Sequence, residues 1–144
     1  MKPLRFNTIL LAAAITLFSV GCKDKDDVSS EPASVAGKGG NATINIIPQQ
    51  NFEDVDSCMV YIKYNSLDIP VQYDDSVWCR TPKYGRPTAT FTGLRKGNYY
   101  LYGKGWNIYN SEIVGGGIPF TVSTDYVNAT LELPVYTLQR VGVK

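Results

Sequence analysis

Phe91-Thr92-Gly93-Leu94-Arg95-Lys96-Gly97-Asn98-Tyr99 is the stretch that decides the fold. Phe91 closes a run of period two, with Ala89 and Phe91 set against Thr88, Thr90 and Thr92. Tyr99 opens another, with Tyr99 and Leu101 set against Tyr100 and Tyr102. Alternation of this kind sends successive side chains to opposite faces of a strand. The segment between the runs is therefore a turn joining two half-buried strands. Leu94 is placed to plug that turn, and Gly97 permits positive φ. The Tyr99 hydroxyl is placed to bond back to the turn, as in a tyrosine corner.

The same rhythm runs outward in both directions. Ile44 and Ile46 alternate with Thr43 and Asn45, and Val60, Ile62 and Tyr64 alternate with Met59, Tyr61 and Lys63. Towards the C-terminus, Val127, Ala129, Leu131 and Leu133 alternate with Asn128, Thr130 and Glu132. Turn chemistry separates the runs at Asn65-Ser66, Asp74-Asp75, Pro82 to Pro87 and Gly93 to Gly97. No helical period appears after Gly40. Short strands with regular turns predict an all-β chain, a single immunoglobulin-like antiparallel β-sandwich of about seven strands over 41–144. Gly115-Gly116-Gly117 lacks the Lys-Ser/Thr of a phosphate loop and reads as a bulge or edge kink.

The F-x-x-L-x-x-G-x-Y pattern of Phe91 to Tyr99 resembles that of prealbumin-like domains, the carboxypeptidase regulatory-like and Cna-B-type sandwiches. Those folds carry it between two central strands. The resemblance spans 42–136 and implies about seven strands. The Lys–Asn isopeptide bond of some Cna-B-type domains is not implied here: Asn128 lies on the last core strand, but the first strand, 42–47, has no lysine.

Upstream of the domain the chain has the layout of an export signal over 1–21. Lys2 and Arg5 precede an apolar run from Ile9 to Phe18, and small residues follow. That run is too short to cross about 30 Å of hydrocarbon as a helix. Ser19-Val20-Gly21-Cys22 resembles the lipobox of bacterial lipoproteins, in the loose form of the Bacteroidota, with Ser19 where Leu is usual. The resemblance implies a lipidated Cys22 as the mature N-terminus. It implies partnership with a membrane through that lipid, since two or more acyl chains hold stably. Lys23 follows Cys22 where an Asp would resemble an inner-membrane retention signal, so the expected address is the outer membrane. Lys23-Asp24-Lys25-Asp26-Asp27 resembles the acidic surface-export signal of such lipoproteins and is equally a solvated spacer. Residues 22–40, ending Gly37-Lys38-Gly39-Gly40, are expected to be a disordered tether.

Composition narrows the function classes. Losing Lys2 and Arg5 with the leader takes the 14 basic residues to 12, against 13 acidic ones, so charge gives no reason to expect nucleic acid. Three cysteines leave Cys58 and Cys79 as an even pair once Cys22 carries lipid, and in an exported chain the pair is expected as a disulfide. The chain has no histidine, which removes histidine-based nucleophile systems and general bases. No metal or cofactor site is expected, and the chain reads as non-enzymatic. Glu53, Asp54 and Asp56, and likewise Asp74 and Asp75, read as solvated turn acids. Asp75-Ser76-Val77 resembles the O-glycosylation motif of Bacteroidota envelope proteins, which implies a glycan on Ser76.

The aromatics are the candidate contact residues. Tyr100 and Tyr102 face away from the core side of their strand, and Trp106 and Tyr109 follow in the glycine-flanked Gly103 to Asn110, expected as a loop. Amphipathic rings of this kind suit a protein contact or a sugar, and equally suit covering a sheet face. The expected function is a binding, adhesion or structural accessory module of the envelope, with another envelope protein as partner. The alternative is a carbohydrate-binding module using Tyr100, Tyr102 and Trp106. A small envelope enzyme is the remote third reading.

Overall fold

The computed structural model describes residues 35–139. Cys22, the leader over 1–21 and most of the expected tether lie outside the described residues. Among the described residues there are nine strands: β1 (Lys38–Gln50), β2 (Glu53–Asp54), β3 (Ser57–Tyr64), β4 (Asp75–Trp78), β5 (Ala89–Leu94), β6 (Gly97–Asn107), β7 (Glu112–Val122), β8 (Asn128–Pro134) and β9 (Tyr136–Thr137). They form two sheets. One contains β2, β1, β5 and β8; the other runs β4-β3-β6-β7-β9. The all-β sandwich is as expected, and seven of its strands are longer than two residues. One pairing departs from the antiparallel expectation: β1 and β8 run parallel, from Thr43 opposite Asn128 to Gln49 opposite Pro134.

The core lies where the period-two pattern puts it. Ala42, Ile44 and Ile46 from β1, and Phe91 and Leu94 from β5, face Val60 and Ile62 from β3 and Tyr99 and Leu101 from β6. The opposite parity on β1, β5 and β8 is polar: Asn45 bonds both Asn128 and Thr90 across the outer face of the first sheet.

Phe91 to Tyr99 carries the chain from one sheet to the other, across Arg95 and Lys96. Leu94 is fully buried, and Gly97 sits at φ 142°. A Cβ on Gly97 would come within 2.7 Å of the Ala36 Cβ. The Tyr99 hydroxyl donates to the Arg95 carbonyl at 2.7 Å and accepts from the Gly37 N–H at 3.0 Å. The side-chain amide of Asn65 accepts from the Ala36 N–H at 2.8 Å and donates to the Ala36 carbonyl at 3.3 Å. These bonds correct the expected boundary. Bonded structure reaches back at least to Ala36, before the expected start at Asn41, and Lys38 to Gly40 belong to β1. Composition alone marks 37–40 as linker, but partners 29 to 62 residues away in sequence hold its start.

Tyr99→Phe should therefore loosen both ends of this clamp. The Arg95 carbonyl and the Gly37 N–H would lose a shared buried partner, a cost of about 2 kcal/mol. A lower urea midpoint at unchanged slope is the expected result.

All strands run between two poles. The chain enters β1 at one pole, beside the 65–74 loop and the Arg95-Lys96 turn. The β1–β2 turn, the 79–88 loop and the β6–β7 turn lie at the other, on the order of 40 Å away along β1.

Candidate functional site

On the outer face of the five-stranded sheet, Tyr102 stands opposite Tyr61 and Gly117, and Tyr100 opposite Lys63 and Pro119. The parity of β6 thus points both tyrosines outward, as expected. Most of their surface is nevertheless taken up by packing. Tyr73 returns from the 65–74 loop to stack on Tyr102, with centroids 5.8 Å apart, and to meet Tyr61 at 5.3 Å. Tyr100 is only 5% exposed, which removes it as a contact residue. Burial, with the neighbouring tyrosine hydroxyls, pushes Tyr73 up to about 12.

The three glycines of β7 explain how these rings lie flat. A Cβ at Gly117 would come within 2.8 Å of the Tyr100 ring, and one at Gly115 within 2.6 Å of the Tyr102 hydroxyl. Gly116 faces inward, where a Cβ would meet the Pro134 carbonyl oxygen at 2.3 Å. The run is not the expected bulge or kink. Its register with β6 is unbroken from Gly97–Val122 to Asn107–Glu112.

Further along the same face the covering stops. Trp106 is on β6 itself, not in a loop, and is 39% exposed. Trp78 on β4 stands opposite Met59, which stands opposite Lys104, and it is 57% exposed. Two exposed tryptophans thus share a sheet face with Met59 and Lys104 between them. Sequence reasoning passed over Trp78 because β4 is short; its parity with Ser76 was the available signal.

The far pole holds the second cluster. Asn107 and Gln50 are buried polar residues, and the Asn107 amide donates to the Gln50 side-chain carbonyl at 2.7 Å. Gln50 donates in turn to Thr137 and Glu112. The Asn107 Oδ1 accepts the backbone N–H groups of Tyr109 and Asn110, which shapes the β6–β7 turn. Every buried side-chain polar atom among the described residues has a partner. This network holds Tyr109 outward, well exposed.

Beside it, β1 and β2 close through Asn51 and Phe52, with Gln50 opposite Glu53. Both turn residues have left-handed backbone, at φ 53° and φ 69°. That is a two-residue turn of the kind that favours Asn-Gly. Phenylalanine occupies the glycine position and is 95% exposed. Arg86 fastens this hairpin, its Nη2 and Nε donating to Asp54 at 2.7 and 2.8 Å and its Nη1 to Glu132 at 3.2 Å. The guanidinium holds the Asp54 carboxyl below its ordinary range. Phe52, Glu53, Asp54, Arg86 and Tyr109 line a cleft of about 700 Å³. A smaller one, about 360 Å³, extends from Phe52 to Tyr136. Phe52 was also missed in the sequence, where the signal was a bulky residue after Asn51 in a tight turn.

The remaining expected sites are placed as follows. Cys58 and Cys79 face each other across β3 and the end of β4, where the Cys79 N–H donates to the Cys58 carbonyl at 2.9 Å. The expected disulfide is not formed; both are free thiols. The backbone bond nonetheless sets the two residues side by side at this edge, and the Cys58 Sγ donates to the Met59 carbonyl at 3.7 Å. The Cys58 thiol, bonded to Cys79 and buried, is pushed up, and Cys79 is pulled down by the same bond. Ser76 is exposed on the edge strand β4, not in the expected loop, beside a shallow cleft of about 560 Å³ lined by Tyr61, Tyr73 and Asp75. Asp74 and Asp75 are not free turn acids. They pair with Lys63 and Lys38 at 2.9 Å each, and both carboxyls are lowered. Among the described residues no cluster of three or more His, Cys, Asp or Glu could hold a metal, and no helix is long and apolar enough to cross a membrane. No protein-family model, curated protein or solved structure matches the chain, so the site stands on its own geometry.

Proposed function

We propose that the protein is a non-enzymatic binding module of the cell envelope. Lipid on Cys22 holds it to the outer membrane, and the far pole of the sandwich meets another envelope protein. The observation that carries this reading is Phe52. An exposed aromatic ring in left-handed backbone costs stability and buries nothing within its own domain. Tyr109 and Arg86 beside it complete an aromatic and arginine composition typical of protein-contact hot spots.

A photo-crosslinking residue at Tyr109 tests this in intact cells. It should give a discrete adduct, and the same residue at Thr130, on the polar outer face of the other sheet, should give none. Equal yields from the two positions would overturn the reading. The exported chain is further proposed to carry the Cys58–Cys79 bond and a glycan on Ser76, both readable by intact mass.

One observation favours a second reading, carbohydrate binding: exposed Trp78 and Trp106 share one sheet face. Tyr102 and Trp106 remain its contacts, and Trp78 replaces the buried Tyr100. Glycan-array binding that survives Trp78→Ala and Trp106→Ala removes it.

A further inference from the structure

The pole at which the chain enters carries an apolar feature that the binding reading does not use. The loop between β3 and β4 contains Leu67, Ile69, Pro70 and Val71. Its inner side is accounted for, since Tyr73 stacks on Tyr102 and meets Tyr61. Its outer side is not. Ile69 is 74% exposed, Val71 is 100% exposed, and Leu67 is exposed as well. Aliphatic side chains in this state lose apolar contact with nothing gained inside the domain.

We propose that the Leu67–Val71 loop rests in the headgroup and acyl boundary of the bilayer that carries the Cys22 lipid, seating the domain on its entry pole and turning Phe52 away from the membrane. This inference rests on the lipid-anchor reading. Three observations choose the bilayer as occupant. The root of the loop is bonded to the point where the tether ends, because Asn65 holds both backbone groups of Ala36. Only residues 22–34 lie between the lipid and the first described residue, and a chain of that length reaches about 45 Å at most. The loop would then face the bilayer at high effective concentration. The chemistry is also that of lipid rather than protein contact. The exposed groups of the loop itself, Leu67, Ile69 and Val71, are aliphatic rather than aromatic. Exposed Arg95 lies on the adjacent β5–β6 turn, where it could meet lipid phosphate.

Hydrogen exchange on the full lipidated chain tests the proposal. The protein is reconstituted in vesicles of phosphatidylethanolamine with phosphatidylglycerol as minor component, and compared with the Cys22→Ser chain free in solution. Amides of 66–72 should exchange about threefold or more slowly in the vesicles, while those of 108–111 keep their rate. Leu67→Ser/Ile69→Ser/Val71→Ser should abolish the difference while intact mass still shows lipid on Cys22. Unchanged exchange at 66–72 with lipid confirmed by mass overturns the loop contact and leaves the anchor standing. Protection at 108–111 instead overturns the orientation. Absence of lipid from Cys22 overturns both the anchor and the contact.

Discussion

Phe52→Gly should make the domain more stable and its binding weaker. The two effects have opposite signs because Phe52 serves the surface and not the core. Asn51 and Phe52 form a two-residue turn in which both have positive φ. Asparagine tolerates this region, whereas a residue such as phenylalanine pays about 1–2 kcal/mol for it. Glycine removes that cost and adds back part of it as lost chain entropy. With the ring 95% exposed, almost no burial is forfeited. The net gain should be about 1 kcal/mol, which for a domain of this size raises the melting temperature by roughly 4–8 °C. If the ring is an anchor of the partner contact, its loss should cost on the order of 2 kcal/mol of binding, about a 30-fold drop in affinity. Calorimetry of the variant reads the first effect. The yield of the Tyr109 crosslink in the Phe52→Gly background reads the second. A variant that is more stable and crosslinks as well as the parent would show that the strained ring is no contact residue. A less stable variant would show that it packs in a way its exposure does not reveal.

The hairpin has its own support, which is why such a residue can be carried there. Gln50, immediately before the turn, is buried in the amide network with Asn107, and Arg86 clamps Asp54 two residues beyond it. Both fastenings pin the strands and leave the tip free. Strain at the tip is therefore held by bonds that do not involve the ring, as expected of a site organised before its partner arrives.

The parts of this architecture that were legible in the sequence are local ones. Ile44 and Ile46, Val60 and Ile62, and Tyr99 and Leu101 lie inside because period two is a property of neighbouring residues. The Tyr99 hydroxyl finds Arg95 because both sit within one nine-residue motif. What escaped depends on partners distant in the chain. Gly115 and Gly117 look like breakers until Tyr102 and Tyr100 are laid across them from the next strand. Gly37 looks like linker until Tyr99 accepts its N–H. The parallel β1–β8 pairing unites segments some 85 residues apart, for example Thr43 with Asn128, and no local pattern announces it. The contact residues divide the same way. Trp106 and Tyr109 were visible as contact residues, but both were expected in one loop, and only the pairing with β3 and β7 shows that Trp106 belongs to β6. Tyr100 was equally outward by parity, and only the fold-back of Tyr73 and its loop shows that it is covered. Phe52 is an instance of a broken local rule marking a site: the turn calls for glycine, and the chain supplies an exposed ring.

Oxidation of Cys58 and Cys79 is expected to be the largest single change in the stability of the domain. The two stand side by side at the junction of β3 and β4, joined by the Cys79 N–H donating to the Cys58 carbonyl at 2.9 Å. Antiparallel partners that exchange a backbone bond have Cα atoms about 5.5 Å apart, within the span a disulfide bridges. Closure would link residues separated by 20 others and remove loop entropy from the unfolded chain, a gain of about 3 kcal/mol in the chain-entropy model. That gain falls on a specific weakness. The 79–88 loop is closed on itself by the Arg80–Thr88 bridge and fastened to β2 and β8 by Arg86 with Asp54 and Glu132, and most of its residues are exposed. The chemistry has a direction as well. Cys79 is only partly buried, and its thiol is lowered by the bond it receives from Cys58. Cys79 carries the more accessible sulfur and Cys58 is fully buried, so Cys79 is the one to attack an incoming disulfide, with Cys58 resolving the mixed intermediate. Protein refolded under oxidising conditions should thus lack free thiols at both positions and unfold at a higher urea concentration than the same protein after reduction, whereas Cys58→Ser and Cys79→Ser chains should show no response to reductant. Before closure is complete, trapping with a small disulfide should tag Cys79 ahead of Cys58. Equal stability of the oxidised and reduced forms would mean that native strain cancels the entropic gain, and thiols that stay free under oxidising conditions would place the pair as packing groups of the β3–β4 edge.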